Sequence, residues 1–241
     1  MSNSPKPRPS SSVKVRNAQA AGSGSSRVWW VAGLGALIVI VLLVVAIVAT
    51  RSSNDAASST AGQLAYGTVK VTGDDLPVWP SDANGQPVGA DPALGKTAPT
   101  VAGQKFDGSA ITIPSAGKAK VVMLVAHWCP HCQKEVPLIA AELNSKGLPS
   151  DVDLYTVATG TSDQRPNFPP AAWLASEKWP VQTLVDDQQD TAAQAYGLSG
   201  YPTFVVVDAN GKVVDRQSGE KTIDQFNAML QEARTGTKTA A

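Results

Sequence analysis

The sequence predicts an α/β domain behind a single membrane-spanning segment. From about Asp91 onward, short apolar runs alternate with amphipathic stretches, the pattern of strands laid between helices. One such run, 121–125, leads straight into Ala126-His127-Trp128-Cys129-Pro130-His131-Cys132, and a helix-like stretch, 133–146, leads out of it. Far upstream, residues 28–49 form an uninterrupted run without charge. A bilayer core needs roughly 20 such residues in a helix.

Residues 1–27 carry Lys6, Arg8, Lys14, Arg16 and Arg27 and no acid. The tail is otherwise rich in Ser, Pro, Ala and Gly, so it buries too little apolar surface to offset its ordering entropy and reads as disordered. Its basic residues lack interleaved aromatics, which argues against a nucleic-acid footprint. Trp29 and Trp30 open the apolar run, where an aromatic belt belongs. Arg51 is the only cation close behind it. The positive-inside rule therefore puts the N-terminus in the cytoplasm and everything after residue 50 outside. The apolar region of a cleaved signal peptide spans roughly 7–15 residues before a small-residue cleavage site. This run is longer, and Ile47-Val48-Ala49 is a poor cleavage sequence, so an uncleaved anchor over 28–50 is expected.

Residues 51–90 read as a partly ordered extracytoplasmic linker. Residues 66–71 alternate like a short strand, and Pro77, Pro80, Pro87 and Pro92 then break regular structure. Residues 106–113 suggest a hairpin around Asp107-Gly108, and 120–126 a buried strand. The helix 133–146 contains Pro137, expected to kink it. A strand at 152–158 follows, then a helix opened by Pro169 and Pro170 and running to Lys178. Next come a strand at 181–185 and a helix at 188–196 ended by Gly197. A strand at 203–207 turns at Asn210-Gly211 into a return strand at 212–216. A closing helix, 222–234, presents Ile223, Phe226, Met229 and Leu230 on one face. Residues 237–241 read as a flexible end.

The chain's only two cysteines and only two histidines all lie within 127–132. A staple across so short a loop gains little entropy, so a purely structural disulfide explains the pair poorly. A strand that ends in Cys-x-x-Cys and opens a helix is instead the setting of a redox dithiol. Cys129 stands at the helix N-terminus, where unpaired N–H groups and the helix dipole favour a thiolate. Cys132 lies one turn further in. An imidazolium at His131 would add to the stabilisation of the Cys129 thiolate. His127, at the strand end, reads as structural or as a modest tuner of the site.

Trp128-Cys129-Pro130-His131-Cys132 after an apolar strand, with Gly200-Tyr201-Pro202-Thr203 opening a later one, resembles the thioredoxin superfamily. Ala98-Pro99 and the insertion between Val152 and Val185 resemble its membrane-anchored TlpA-like branch. The resemblance covers roughly residues 91–236. It implies a thioredoxin-like fold, a central mixed β-sheet flanked by helices with an inserted helix–strand unit. It implies thiol–disulfide exchange in which Cys129 attacks, Cys132 resolves the mixed disulfide, and Cys129–Cys132 is the redox-active disulfide. It implies a cis peptide bond before Pro202, which sets the Tyr201 backbone beside Cys129 for pairing with an extended substrate, and it makes Trp128 a candidate wall of that groove.

The implied partners are exported protein thiols or disulfides and a membrane redox partner that resets the dithiol. No cofactor or metal is called for. The dipeptide Pro130-His131 resembles the oxidising members of the superfamily, and the oxidase direction is favoured. The TlpA-like scaffold commonly serves reductases, for example of apocytochromes, which is the alternative. Met123 stands where cytoplasmic thioredoxins carry a buried acid, so the usual proton acceptor is missing. A different class, copper binding or metal delivery through His127, Cys129, His131 and Cys132, fits the ligand types. Gln133, which stands where a histidine is needed, argues against haem attachment.

Overall fold

The computed structural model describes residues 63–82 and 87–238. The basic tail and the anchor expected over 28–50 lie outside them. Among the described residues, no helix is long and apolar enough to cross a membrane.

The sheet grows outward from the apolar run that precedes the cysteines. Among the described residues, four strands precede the first helix: β1 (Lys70–Thr72), β2 (Thr100–Gln104), β3 (Ala110–Ile113) and β4 (Ala119–Val125). Then follow α1 (Pro130–Lys146), β5 (Val152–Ala158), α2 (Pro170–Ser176), β6 (Thr183–Val185), α3 (Thr191–Ala195), β7 (Thr203–Val207), β8 (Val213–Ser218) and α4 (Ile223–Thr235). Every residue of β4 is buried, as befits a central strand covered on both faces. β4 pairs parallel with β5 and antiparallel with β7. The sheet order is β1-β2-β6-β5-β4-β7-β8, with β3 paired to β2. This is the thioredoxin-like mixed sheet.

Alternation along β4 divides the core in two. Val121, Met123 and Val125 pack with Ile139 of α1, Trp173 of α2 and Phe226 and Met229 of α4. Val122 and Leu124 face the other way, toward Ala192, Ala193 and Tyr196 beside α3, and toward Leu76. Leu76 belongs to the stretch expected as linker. That stretch instead closes over the sheet: β1 pairs with β2, and the Leu76 amide donates to the Ala195 carbonyl at 2.9 Å. Gly67 passes so close to β6 that a Cβ there would lie 2.5 Å from the Val185 carbonyl oxygen. Just beyond, Asp91 and Arg216 form a fully buried ion pair, with Arg216 Nε to Asp91 Oδ2 at 3.0 Å. The guanidinium also donates to the Tyr196 and Gly197 carbonyls, so both charges are satisfied.

Helix ends differ from expectation for local reasons. α1 starts at Pro130, because proline lacks the N–H that a first turn leaves unpaired. It runs through Pro137 to Lys146. α3 is shorter than the expected 188–196, because Asp190 adopts a left-handed conformation (φ 55°) immediately before it. α4 opens with a capping box in which Thr222 and Gln225 exchange side-chain and backbone bonds. Such a cap contributes about 1 kcal/mol.

Candidate active site

The cysteines sit where β4 ends and α1 begins. Cys129 is the N-cap of α1, with extended backbone (φ −72°, ψ 121°), and its carbonyl accepts from the Gln133 amide at 3.0 Å. Both thiols are free. Cys132 is fully buried, and Cys129 is 4% exposed. Burial, then hydrogen bonding with Cys129 and the nearby negative potential of Glu135, push the Cys132 thiol far up and keep it protonated.

The Tyr201–Pro202 peptide bond is cis, as the resemblance implies. The Cys129 Sγ lies 3.6 Å from the Tyr201 carbonyl oxygen. Trp128 meets the Tyr201 ring edge-on at 5.7 Å, donates from Nε1 to the Gly160 carbonyl at 2.6 Å, and is covered by the Arg165 guanidinium at 4.7 Å. Cys129, Cys132, Trp128, Tyr201 and Pro202 are thus brought together.

His131 is placed differently. Its Nδ1 is bound to Glu220 Oε1 at 2.5 Å on the protein surface, and Lys134 reaches the same oxygen at 3.3 Å. His131, then Lys134, holds the Glu220 carboxyl below the usual carboxylate range. His127 serves as a strut. Its Nδ1–H donates to the Pro166 carbonyl at 2.6 Å, and its Nε2 accepts from the Ser162 amide at 3.2 Å. Both ring nitrogens are used and the neutral tautomer is fixed. Burial pushes the His127 pKa down. With His127 and His131 engaged elsewhere, the four candidate metal ligands do not converge. Among the described residues, no three His, Cys, Asp or Glu side chains are grouped to hold a metal.

Sequence reasoning missed a carboxylate, Glu135, which lies one turn beyond Cys132 on α1 and is 1% exposed. Its Oε1 accepts from the Lys221 amide at 2.5 Å, and its Oε2 has no hydrogen-bond partner among the described residues. Burial raises its pKa to about 7, against the opposing pull of Lys221. The signal available was its i+3 spacing from Cys132, which places both on one helix face. Glu220 had no local signal, being 89 positions from His131.

The chain matches the model of the Redoxin family over residues 93–230. It belongs to that family. It is 29% identical over 139 residues to "Thiol-disulfide oxidoreductase ResA" of Bacillus anthracis, an alignment covering 57% of this chain and 76% of that one. It is 24% identical over 128 residues to "Sporulation thiol-disulfide oxidoreductase A" of Bacillus subtilis, covering 53% and 75%. Among solved structures, StoA from Bacillus subtilis aligns with a TM-score of 0.45 at 21% identity, covering 52% of this chain and 92% of that one. The redoxin is a thioredoxin-superfamily protein of the Dsb and TlpA type, and an enzyme, a thiol–disulfide oxidoreductase.

Proposed function

We propose that this redoxin is a membrane-anchored, extracytoplasmic reductase of disulfides in exported proteins. In this reading Cys129 is the nucleophile and Cys132 the resolving thiol. The contact of Cys129 Sγ with the Tyr201 carbonyl, with Cys132 sealed behind it, is the observation that carries the roles. The anchor at 28–50 is supported by its uncharged length, and the outward orientation by the basic tail of 1–27. The layout proposed is tail, anchor, linker to residue 90, catalytic domain over 91–236 and a short end.

In the forward reaction, the Cys129 thiolate attacks one sulfur of the substrate disulfide, and the second substrate sulfur leaves as a thiolate. Cys132 then gives up its proton and attacks Cys129 Sγ, releasing the first substrate sulfur. The substrate gains two electrons and the protein is left with a Cys129–Cys132 disulfide. A membrane redox partner returns those electrons. The Tyr201 backbone and the Trp128 face supply an edge and a wall for an extended substrate. Because Cys132 is so strongly held as a thiol, its step needs a base. We assign that role to Glu135, whose free Oε2 and pKa of about 7 suit it.

The reducing direction departs from the oxidising one suggested by Pro130-His131. Two observations support the change. The His131 imidazole is committed to a carboxylate, which offsets any charge it lends to Cys129. Glu135 supplies a buried acid where Met123 could not. Alkylation trapping in intact cells tests the direction. Cys129 and Cys132 should be recovered mostly as dithiol; a pair recovered mostly as disulfide would restore the oxidase. A reporter active only outside the cytoplasm, fused after Ala241, should be active, and activity of a cytoplasm-only reporter would overturn the orientation.

A further inference from the structure

The loop between β8 and α4 carries a carboxylate that the exchange steps do not use. Its backbone is tied down on both sides of the site. Toward the proline loop, the Gly219 amide donates to the Pro202 carbonyl at 2.9 Å and Ser218 Oγ donates to the same oxygen at 3.3 Å. Toward α1, the Lys221 amide donates to Glu135 at 2.5 Å, and Lys221 Nζ returns to the Ser218 carbonyl at 2.8 Å. Glu220 therefore projects from a fixed loop, between two anchored neighbours. From there it binds His131 at 2.5 Å and Lys134 at 3.3 Å, both in the opening turns of α1.

As a stabilising contact such an exposed pair contributes little. As a fixed charge at the helix end that carries Cys129 it has a different consequence. We infer that Glu220 is a positioning residue that sets the reduction potential of the Cys129–Cys132 couple by holding the His131 side chain and countering its charge. The inference rests on the reading of Cys129 as the nucleophile. The sign follows from charge. Exchange runs through a thiolate, which only the reduced couple can form, and a carboxylate tethered to the same helix end disfavours that form. Glu220 thus makes the couple more reducing, and it denies His131 the freedom to turn toward the sulfur.

The test is glutathione redox equilibrium on wild type, Glu220→Gln, His131→Ala and the double variant. Glu220→Gln should make the disulfide easier to reduce, moving the equilibrium constant by about three- to tenfold, the order of one screened charge. Tenfold is about 30 mV for this two-electron couple. His131→Ala should move it the opposite way. In the His131→Ala background, the Glu220→Gln shift should shrink, because its route through the imidazole is gone. An unchanged potential in Glu220→Gln, or an equal shift in both backgrounds, would overturn the inference. A separate control guards the underlying reading: Cys129→Ala should lose disulfide exchange. Exchange surviving in that variant would refute the nucleophile, whereas exchange lost with an unmoved Glu220→Gln potential refutes the tuning role alone.

Discussion

Two carboxylates flank the first turns of α1, held by one loop, and their environments are opposite. Glu135 points inward beside Cys132, is shut from water, and has one oxygen with no partner among the described residues. Glu220 points outward beside His131, is 40% exposed, and is bound by two basic side chains. Burial pushes the first toward its neutral form; pairing holds the second in its charged form. The same chemical group thus suits proton transfer in one place and a fixed field in the other. Residue type alone does not assign a role; the shell around the carboxylate does.

The largest effect expected is at the cysteines. Cys132→Ala should accumulate mixed disulfides with exported proteins, detected as slower-migrating adducts on non-reducing gels, and Cys129→Ala should not. Adducts trapped through Cys132 alone would reverse the inner and outer roles.

Next comes burial of charge without a fixed partner. Asp91→Ala would leave the Arg216 guanidinium enclosed and half-paired. The loss should be about 3–5 kcal/mol, seen as a fall in Tm of roughly 10 °C by circular dichroism. By contrast, Glu220→Gln breaks only a surface pair and should leave the Tm close to that of wild type. Similar losses in the two variants would break the contrast between buried and exposed pairs.

Glu135 also predicts a pH dependence of stability. Its folded pKa of about 7 lies above the ordinary carboxylate value of 4.5. The folded state therefore holds this proton more tightly than the unfolded chain. The stabilisation is complete below pH 4.5 and is lost as pH rises toward 7. The loss should be on the order of 2–3 kcal/mol. Glu135→Gln should remove this decline, so its Tm difference between acid and neutral buffers should diverge from that of wild type. Matching curves would mean that Glu135 is ionised in the fold.

Much of the molecule was legible from local pattern. The β5 and β7 strands fall where their apolar runs put them, and the cysteine helix ends at Lys146 as expected but begins three residues earlier, at Pro130. The Tyr201–Pro202 geometry came through family resemblance. What escaped was non-local. The alternation at 66–71 marked a short strand, but its pairing with β2 and the docking of Leu76 on Ala195 join distant segments, which the prolines around them conceal. His131 looked like a partner of Cys129 because sequence distance was the only measure available; the fold brings Glu220 to it instead. A second cis bond, at Phe168–Pro169, lies in the loop held by His127, and nothing in the surrounding residues announced it.

The division of labour between the two carboxylates is tested most directly by single-turnover kinetics. Reduced protein is mixed with a disulfide-bonded peptide, quenched with acid, and the mixed disulfide is followed by mass spectrometry. The adduct should form on Cys129. In Glu135→Gln its decay should slow by about 100-fold at neutral pH, the low end of general-base effects, whereas Glu220→Gln should leave adduct decay within about threefold of wild type, the scale of one screened surface charge. An adduct on Cys132, or a Glu135→Gln decay equal to wild type, would contradict the account.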